Sequence, residues 1–403
     1  MESHELSLDS SKSNIPHTEH HEPAYWSGVF SITLCIFALI ASEFMPVSLL
    51  TPMADDLGVS TGKVGQGIAI SGFFAVITSL YSSVLFAKSD RKKVLIGLTF
   101  LMLISALIIG FATNYLIYMI GRSLIGIVIG GFWSLSAACA MKLVPAVKVP
   151  KALAIFNGGN ALAMIIAAPL GSYLGGIVGW RGAFLMLVPV SLIALLWQWI
   201  SLPKMPASNQ KVRFLETFKT LKSPLVHRGM LAVGIFFVGQ FTLFTYIRPY
   251  LEIALNADPT MISLILLGLG IAGFIGTAFV SAFIKWNLYR TLILIPLIMA
   301  GLAFGLVLLN SNVMLVIALL LSWGMVATAA PVAWWSWIAQ SMPDKAEIGG
   351  GLMVAVIQLS IAFGSTLGGE LFDLSGYSSS FFASATLLLF AAALAWLTAR
   401  VKN

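Results

Sequence analysis

Glu43 is the only formally charged residue between Trp26 and Met53, a run long enough to cross a bilayer, for which about 20 apolar residues suffice. A carboxylate at that depth costs about 2.5 kcal/mol or more, so it is normally paired, protonated or turned toward a cavity. Two chemistries suit it: reversible binding of a proton, or a fixed place in a structural hydrogen-bond network. Pro46, three residues on, removes a helix hydrogen bond and loosens the outer half of the segment. Asp55 and Asp56 follow and read as solvated carboxylates of an outer loop. Arg122 is the second charge inside an apolar run; structurally it can tie its helix to backbone carbonyls of the first. Arg248 and Glu252 stand four apart near the end of another run. There they form either a surface staple or a pair aimed at a central pathway.

These residues need helices to hold them in hydrocarbon, and the composition supplies such helices. Of the 403 residues, 59% are hydrophobic and 10% charged, against about 25% charged in soluble domains. Apolar runs predict an all-α polytopic membrane protein with twelve crossings, near 26–53, 64–87, 94–113, 116–141, 152–177 and 182–202, then 229–253, 261–284, 292–309, 314–340, 349–372 and 379–399. The domains expected are a disordered cytoplasmic tail (1–24), a six-helix bundle (25–202), a cytoplasmic linker (203–228) and a second six-helix bundle (229–403). Nineteen of the 23 lysines and arginines then fall in the tail, the linker and the loops on one side. The positive-inside rule makes that side, with both termini, cytoplasmic. The net charge of +7 is thus a topology signal and no argument for nucleic acid.

The second half repeats the first. Gly171-Ser172-Tyr173-Leu174-Gly175-Gly176 recurs as Gly364-Ser365-Thr366-Leu367-Gly368-Gly369, Trp133-Ser134 as Trp335-Ser336, and Pro46 as Pro249. A duplicated six-helix half implies pseudo-two-fold symmetry along the membrane normal, with a site between the halves near mid-bilayer. Glu43 and Tyr246 each lie three residues before their matching proline, which puts Glu43 on that central pathway. Gly126, Gly130, Gly131 and the glycines of the two repeats suit close helix contact that slides.

With these features the chain resembles the major facilitator superfamily. Ala87-Lys88-Ser89-Asp90-Arg91-Lys92-Lys93 is similar to its basic loop between helices two and three, although Asp and Gly are usual where Ala87 and Asp90 stand. Arg122 with Gly126 matches its fourth-helix motif, and Pro169 with Gly171 its exporter-type fifth-helix motif. Glu43-Phe44, Pro46 to Met53, Gly130 to Trp133, Phe244 to Pro249 and Val354 to Leu359 are similar to the drug:proton antiporter branch that exports sugars and nucleosides, most of all to its purine ribonucleoside exporters. The resemblance implies a proton-coupled antiporter in the bacterial inner membrane, exporting purine ribonucleosides such as inosine or guanosine by alternating access. An arabinose-type sugar or multidrug exporter is the alternative. It further implies proton coupling by Glu43, with Arg122 sensing or relaying its proton.

A nucleoside needs π-faces to stack on and hydrogen-bonding partners. The candidate stackers are Trp133, Tyr246 and Trp335, the last favoured over Trp334 and Trp337 by its repeat partner. The polar candidates are Asn157, Asn160, Gln240, Gln358 and Arg248. Each also has an ordinary structural use, aromatics in interfacial belts and amides in helix pairing. No enzyme is expected: no histidine lies within the predicted crossings, and no His-Glu-x-x-His motif occurs. No Walker-type loop occurs either, so the proton gradient is the expected energy source and no cofactor is expected. Cys35 and Cys139 read as free thiols inside apolar spans. His17, Glu19, His20, His21 and Glu22 belong to the polar tail and not to a metal site. The expected partners are nucleoside, protons and bilayer, around a monomer.

Overall fold

A computed structural model describes residues 24–86, 88–206, 221–342 and 346–402. The tail histidines, Ala87, the middle of the central linker and Lys345 lie outside the described residues. Thirteen α-helices are described, none shorter than eight residues. They are α1 (Trp26–Phe44), α2 (Leu50–Leu57), α3 (Thr61–Leu85), α4 (Arg91–Gly110), α5 (Tyr115–Lys142), α6 (Val149–Leu185) and α7 (Leu187–Ser201), then α8 (Pro224–Phe244), α9 (Ile247–Leu255), α10 (Pro259–Leu308), α11 (Val313–Ser341), α12 (Ala346–Ser375) and α13 (Tyr377–Lys402). The protein is a multi-pass membrane protein. Ten continuous apolar stretches are long enough to cross, two of them 51 and 50 residues long. At about 1.5 Å per residue such a stretch would reach some 75 Å, so it must double back. The backbone breaks where that requires, at Gly179 (φ 73°) in α6 and at Asn287 (φ −163°) in α10.

The first and seventh crossings also depart from single helices. α1 stops at Phe44, a 3-10 turn covers Met45–Ser48, and α2 resumes at Leu50. Likewise α8 stops at Phe244 and α9 resumes at Ile247. Each break precedes or contains the proline of the repeat, whose missing N–H cannot continue the ladder. Gly58 and Asn256 close α2 and α9 in the same left-handed conformation. Asp55 and Asp56 therefore belong to a helix, not a loop. Asp56 is paired, with Arg181 at 2.6 Å and the Trp180 indole N–H at 3.2 Å.

Within residues 24–206, α1 packs on α6 and α7, and α4 and α3 pack on α5; within 221–402, α8 packs on α12 and α13, and α10 on α11 and α13. The two groups meet through α3 against α12 and α6 against α10, a symmetric pair of seams. The repeat glycines explain how closely the broken crossings are gripped. A Cβ at Gly171 would stand 2.6 Å from the Ser48 hydroxyl, and one at Gly364 would stand 2.5 Å from the Val238 carbonyl oxygen. Gly130 is held as closely, since its Cβ would come within 2.2 Å of the Ala75 carbonyl oxygen. Gly130→Ala must therefore push α5 off α3. It is expected to lower the thermal unfolding midpoint in detergent by an amount that reflects the ~1–3 kcal/mol of an overpacked contact.

Tyr25, Leu143 and the Arg91–Met205 backbone contact lie at the end that holds both described chain ends, called the terminal end below. Asp56, Arg181 and Tyr377 lie at the far end. The hydrogen bonds between the two groups, among the described residues, run from mid-helix to the far end. Ser172 donates to the Pro259 carbonyl at 3.2 Å, and Ser263 to the Pro169 carbonyl at 2.7 Å. The Gly62 N–H donates to Asp373 Oδ1 at 3.1 Å. Of these bonds the one from Gln358 to Glu43, at 3.4 Å, lies nearest the terminal end, where Asn157 on α6 is exposed. The molecule is closed at its far end.

Candidate functional site

Pro46 leaves the Ser42 carbonyl without the N–H that would normally meet it four residues on. Arg122, fully buried on α5, supplies the missing donor: its Nη1 donates to Ser42 O at 2.8 Å. Its Nε donates to Gly67 O on α3 at 2.9 Å and its Nη2 to the Glu43 carbonyl at 3.4 Å. A planar guanidinium with five donors can bridge two helices in this way; a lysine cannot. The guanidinium meets the backbone of Glu43, while the carboxylate is met from elsewhere.

That second contact comes from the other half. Gln358 on α12 donates its Nε2 to Glu43 Oε1 at 3.4 Å, across 315 residues of sequence. Glu43 is 5% exposed, and the Gln358 Oε1 has no hydrogen-bond partner among the described residues. Phe44 packs beside this contact on Phe241 and Phe244. A buried carboxylate touched by one long amide hydrogen bond is poorly compensated as an anion. It is therefore suited to take up a proton when its surroundings change.

A second polar cluster lies toward the far end. Arg248 donates Nε to Glu252 Oε1 at 2.8 Å, as the four-residue spacing allows. It also donates Nη1 to the Ser48 carbonyl, and Thr51 donates its hydroxyl to Glu252. Arg248 is 5% exposed, so the pair is no surface staple. It bolts the broken seventh crossing to the broken first one. Tyr246, two residues before Arg248, is fully buried, its hydroxyl donating to Ser365 O at 2.7 Å and its ring stacked on Phe372.

The other sequence candidates stand apart from both clusters. Asn157 is exposed and Asn160 half-buried on α6. Trp133 is half-buried against the core of the first half. Trp335 is 43% exposed beside Gly350, whereas Trp334 and Trp337 are buried. Gln240 is half-buried on α8 with its Oε1 unpartnered among the described residues. The structure thus gathers Glu43, Arg122 and Gln358 at mid-depth, and Tyr246 and Arg248 farther out. It keeps Trp133, Trp335, Asn157 and Asn160 toward the terminal end. Glu370 is exposed near the end of α12. Sequence reasoning missed Asp373, Ser48 and Thr51, whose partners lie in the other half. For Asp373 the one local signal is the α3 start, where Ser60 caps the helix and Gly62 leaves room for a carboxylate from the other half.

The sequence and the fold have known counterparts. The family model described as Major Facilitator Superfamily matches residues 32–356. A "Transcription regulatory protein OpdE" of Pseudomonas aeruginosa is 56% identical over 380 residues, 94% of each chain. The "Purine ribonucleoside efflux pump NepI" of Escherichia coli K12 is 41% identical over 380 residues, again 94% of each. Among solved structures, a bacterial homologue of the human lysosomal transporter Spinster, inward-facing and unoccupied, aligns with a TM-score of 0.77. It covers 94% of this chain and 98% of its own at 14% identity, a likeness of fold alone. The duplicated bundle seen here, and matches that run through nearly its whole length, have one common explanation: the chain belongs to the major facilitator superfamily and is a transporter, not an enzyme.

Proposed function

We propose that this transporter exports purine ribonucleosides, inosine or guanosine among them, in exchange for protons. In this reading the terminal end faces the cytoplasm of a bacterium, the chain works as a monomer in the inner membrane, and the conformation described is the cytoplasm-facing one. The proton gradient supplies the energy, with no cofactor. Substrate class rests on the 41% identity to a purine ribonucleoside efflux pump. Coupling rests on one observation: the Glu43 carboxylate is buried at mid-depth between the halves, where the Gln358 amide of the other half donates to it.

Glu43 carries the proton. When it is charged, the Gln358 amide favours contact between the halves at its level; when it is neutral, that contact weakens and the halves can part or accept substrate. Arg122 fixes the broken end of α1 so that the carboxylate keeps its depth. Trp133 and Trp335 supply stacking faces, and Asn157, Asn160, Gln240 and Gln358 hydrogen bonds, to a nucleoside entering from the terminal end. Tyr246 and Arg248 close the path beyond it.

Proteoliposomes with an acid interior test this reading. Labelled inosine is expected to accumulate above its no-gradient level, to be released by a protonophore, and to compete with guanosine but not with arabinose or a cationic dye. Absence of inosine movement would overturn it. A second reading is favoured by the 56% identity to a relative named as a transcription regulatory protein: the fold would sense a solute and signal without net transport. Under it inosine would bind, as a thermal shift reports, while flux stays at background.

A further inference from the structure

We infer that the terminal end of α10 and α13 holds an anionic phospholipid, its phosphate gripped by Arg290 and Arg400. The second segment of α10 and α13 run antiparallel and in contact, with the Phe304 and Phe382 rings 5.7 Å apart. Fourteen residues back from Phe304 is Arg290; fourteen on from Phe382 is Trp396. Equal counts at equal rise put these two at one level, with Arg400 about one turn beyond; Trp286 comes just before the break at Asn287. The two arginines are thereby brought to the same patch of the membrane surface.

Each guanidinium lies over an exposed indole: Arg400 is 3.6 Å from the Trp396 ring centre, and Arg290 is 5.2 Å from that of Trp286. Stacking holds the fork flat and leaves its N–H edge free for the paired oxygens of a phosphate. Neither arginine forms an ion pair among the described residues. Residues 285–309 and 377–403 contain no Asp or Glu, so neither helix carries an acidic partner of its own for them. The contrast with the first half is informative. There Asp90 caps α4 with a carboxylate. At the corresponding start here, Asn287 is a neutral cap, its Oδ1 accepting from the Arg290 N–H at 2.9 Å. Lys285 adds a third exposed positive charge beside this helix start.

Below the arginines the surface turns apolar and stays exposed, with Leu294 at 44%, Phe390 at 61% and Leu397 at 39%. A cationic fork above an exposed apolar strip fits a molecule with a phosphate head and acyl chains. A free phosphate has no use for the strip. Tryptophans at the level of headgroups are in keeping with this placement.

Native mass spectrometry of the purified full chain in detergent, titrated with phosphatidylglycerol, tests the site. At about 1 kcal/mol per arginine near an anionic surface, the R290Q/R400Q pair is expected to weaken binding about thirtyfold. Phosphatidylcholine is expected to bind far less, and inorganic phosphate is expected not to compete. K63Q, at the opposite face, is the control and should bind as the unaltered chain does. Equal phosphatidylglycerol binding by R290Q/R400Q, equal binding of phosphatidylcholine, or displacement by inorganic phosphate would overturn the proposal. An unchanged unfolding midpoint of R290Q/R400Q in phosphatidylcholine shows that any loss is not misfolding; should that midpoint fall, R290K/R400K, which keeps the charge without the fork, is expected to bind phosphatidylglycerol more weakly than the unaltered chain, and full binding by it would overturn the grip by the forks.

Discussion

Glu43→Gln is expected to abolish proton-driven accumulation of inosine while leaving counterflow of labelled for unlabelled inosine intact. The amide is nearly the shape of the neutral carboxyl, so the fold should tolerate it and the Gln358 contact can re-form with a neutral partner. What it cannot do is take up and release a proton. The gradient-driven component should fall to the no-gradient level at every pH, and the pH dependence of exchange should flatten with it. Glu43→Asp keeps the charge but withdraws it by one methylene from an amide already 3.4 Å away, so partial coupling is expected. Accumulation by Glu43→Gln equal to that of the unaltered chain would remove Glu43 from the mechanism. The carboxylate would then be a structural group, the other chemistry its burial allows.

Arg122→Ala is expected to act first on stability. It strips the donor from Ser42 O, at 2.8 Å in a fully buried place, whereas Gly67 O keeps the Ser71 hydroxyl at 2.8 Å. A buried carbonyl left without a partner costs about 1–3 kcal/mol, and a loss of about that size is expected. Thermal unfolding in detergent, read by intrinsic tryptophan fluorescence, measures it. Arg122→Lys keeps the charge but not the fork and should recover only part of the loss. If Arg122→Ala unfolds at the normal temperature yet loses coupling, the bridging role is wrong and a direct part in proton transfer takes its place. The Glu43 and Arg122 variants thus separate coupling from architecture at one site.

Much of this protein was legible in one dimension because a bilayer constrains sequence so strongly. Apolar length sets the crossings, the lysines and arginines of the loops mark one end, and every backbone group in hydrocarbon must find a partner. The helix breaks after Phe44 and Phe244 follow from Pro46 and Pro249. The depth of Glu43 follows from the run around it, and the tight glycine contacts follow from the lack of a side chain at Gly171 and Gly364. These are local causes, and local causes can be read from local residues.

The tertiary structure decided the partners. The sequence offers Arg122 as a tie to carbonyls of the first crossing; the packing of α5 against α3 and α1 selects Ser42 O, freed by Pro46, and adds Gly67 O on α3. Arg248 and Glu252 advertise a pair by their spacing, yet their contacts to Ser48 and Thr51 make them a bolt between halves. Asp373 carries no signal in its own stretch, and the open α3 start names no partner until the fold sets the two together. Trp335 differs from Trp334 and Trp337 by the direction it faces, not by type. Such pairings join residues up to about three hundred positions apart, and periodicity along one helix carries no information about which helix lies opposite. Glu43 shows both sides: its own stretch determined that a carboxylate is buried, and only the fold determined that Gln358 is what touches it.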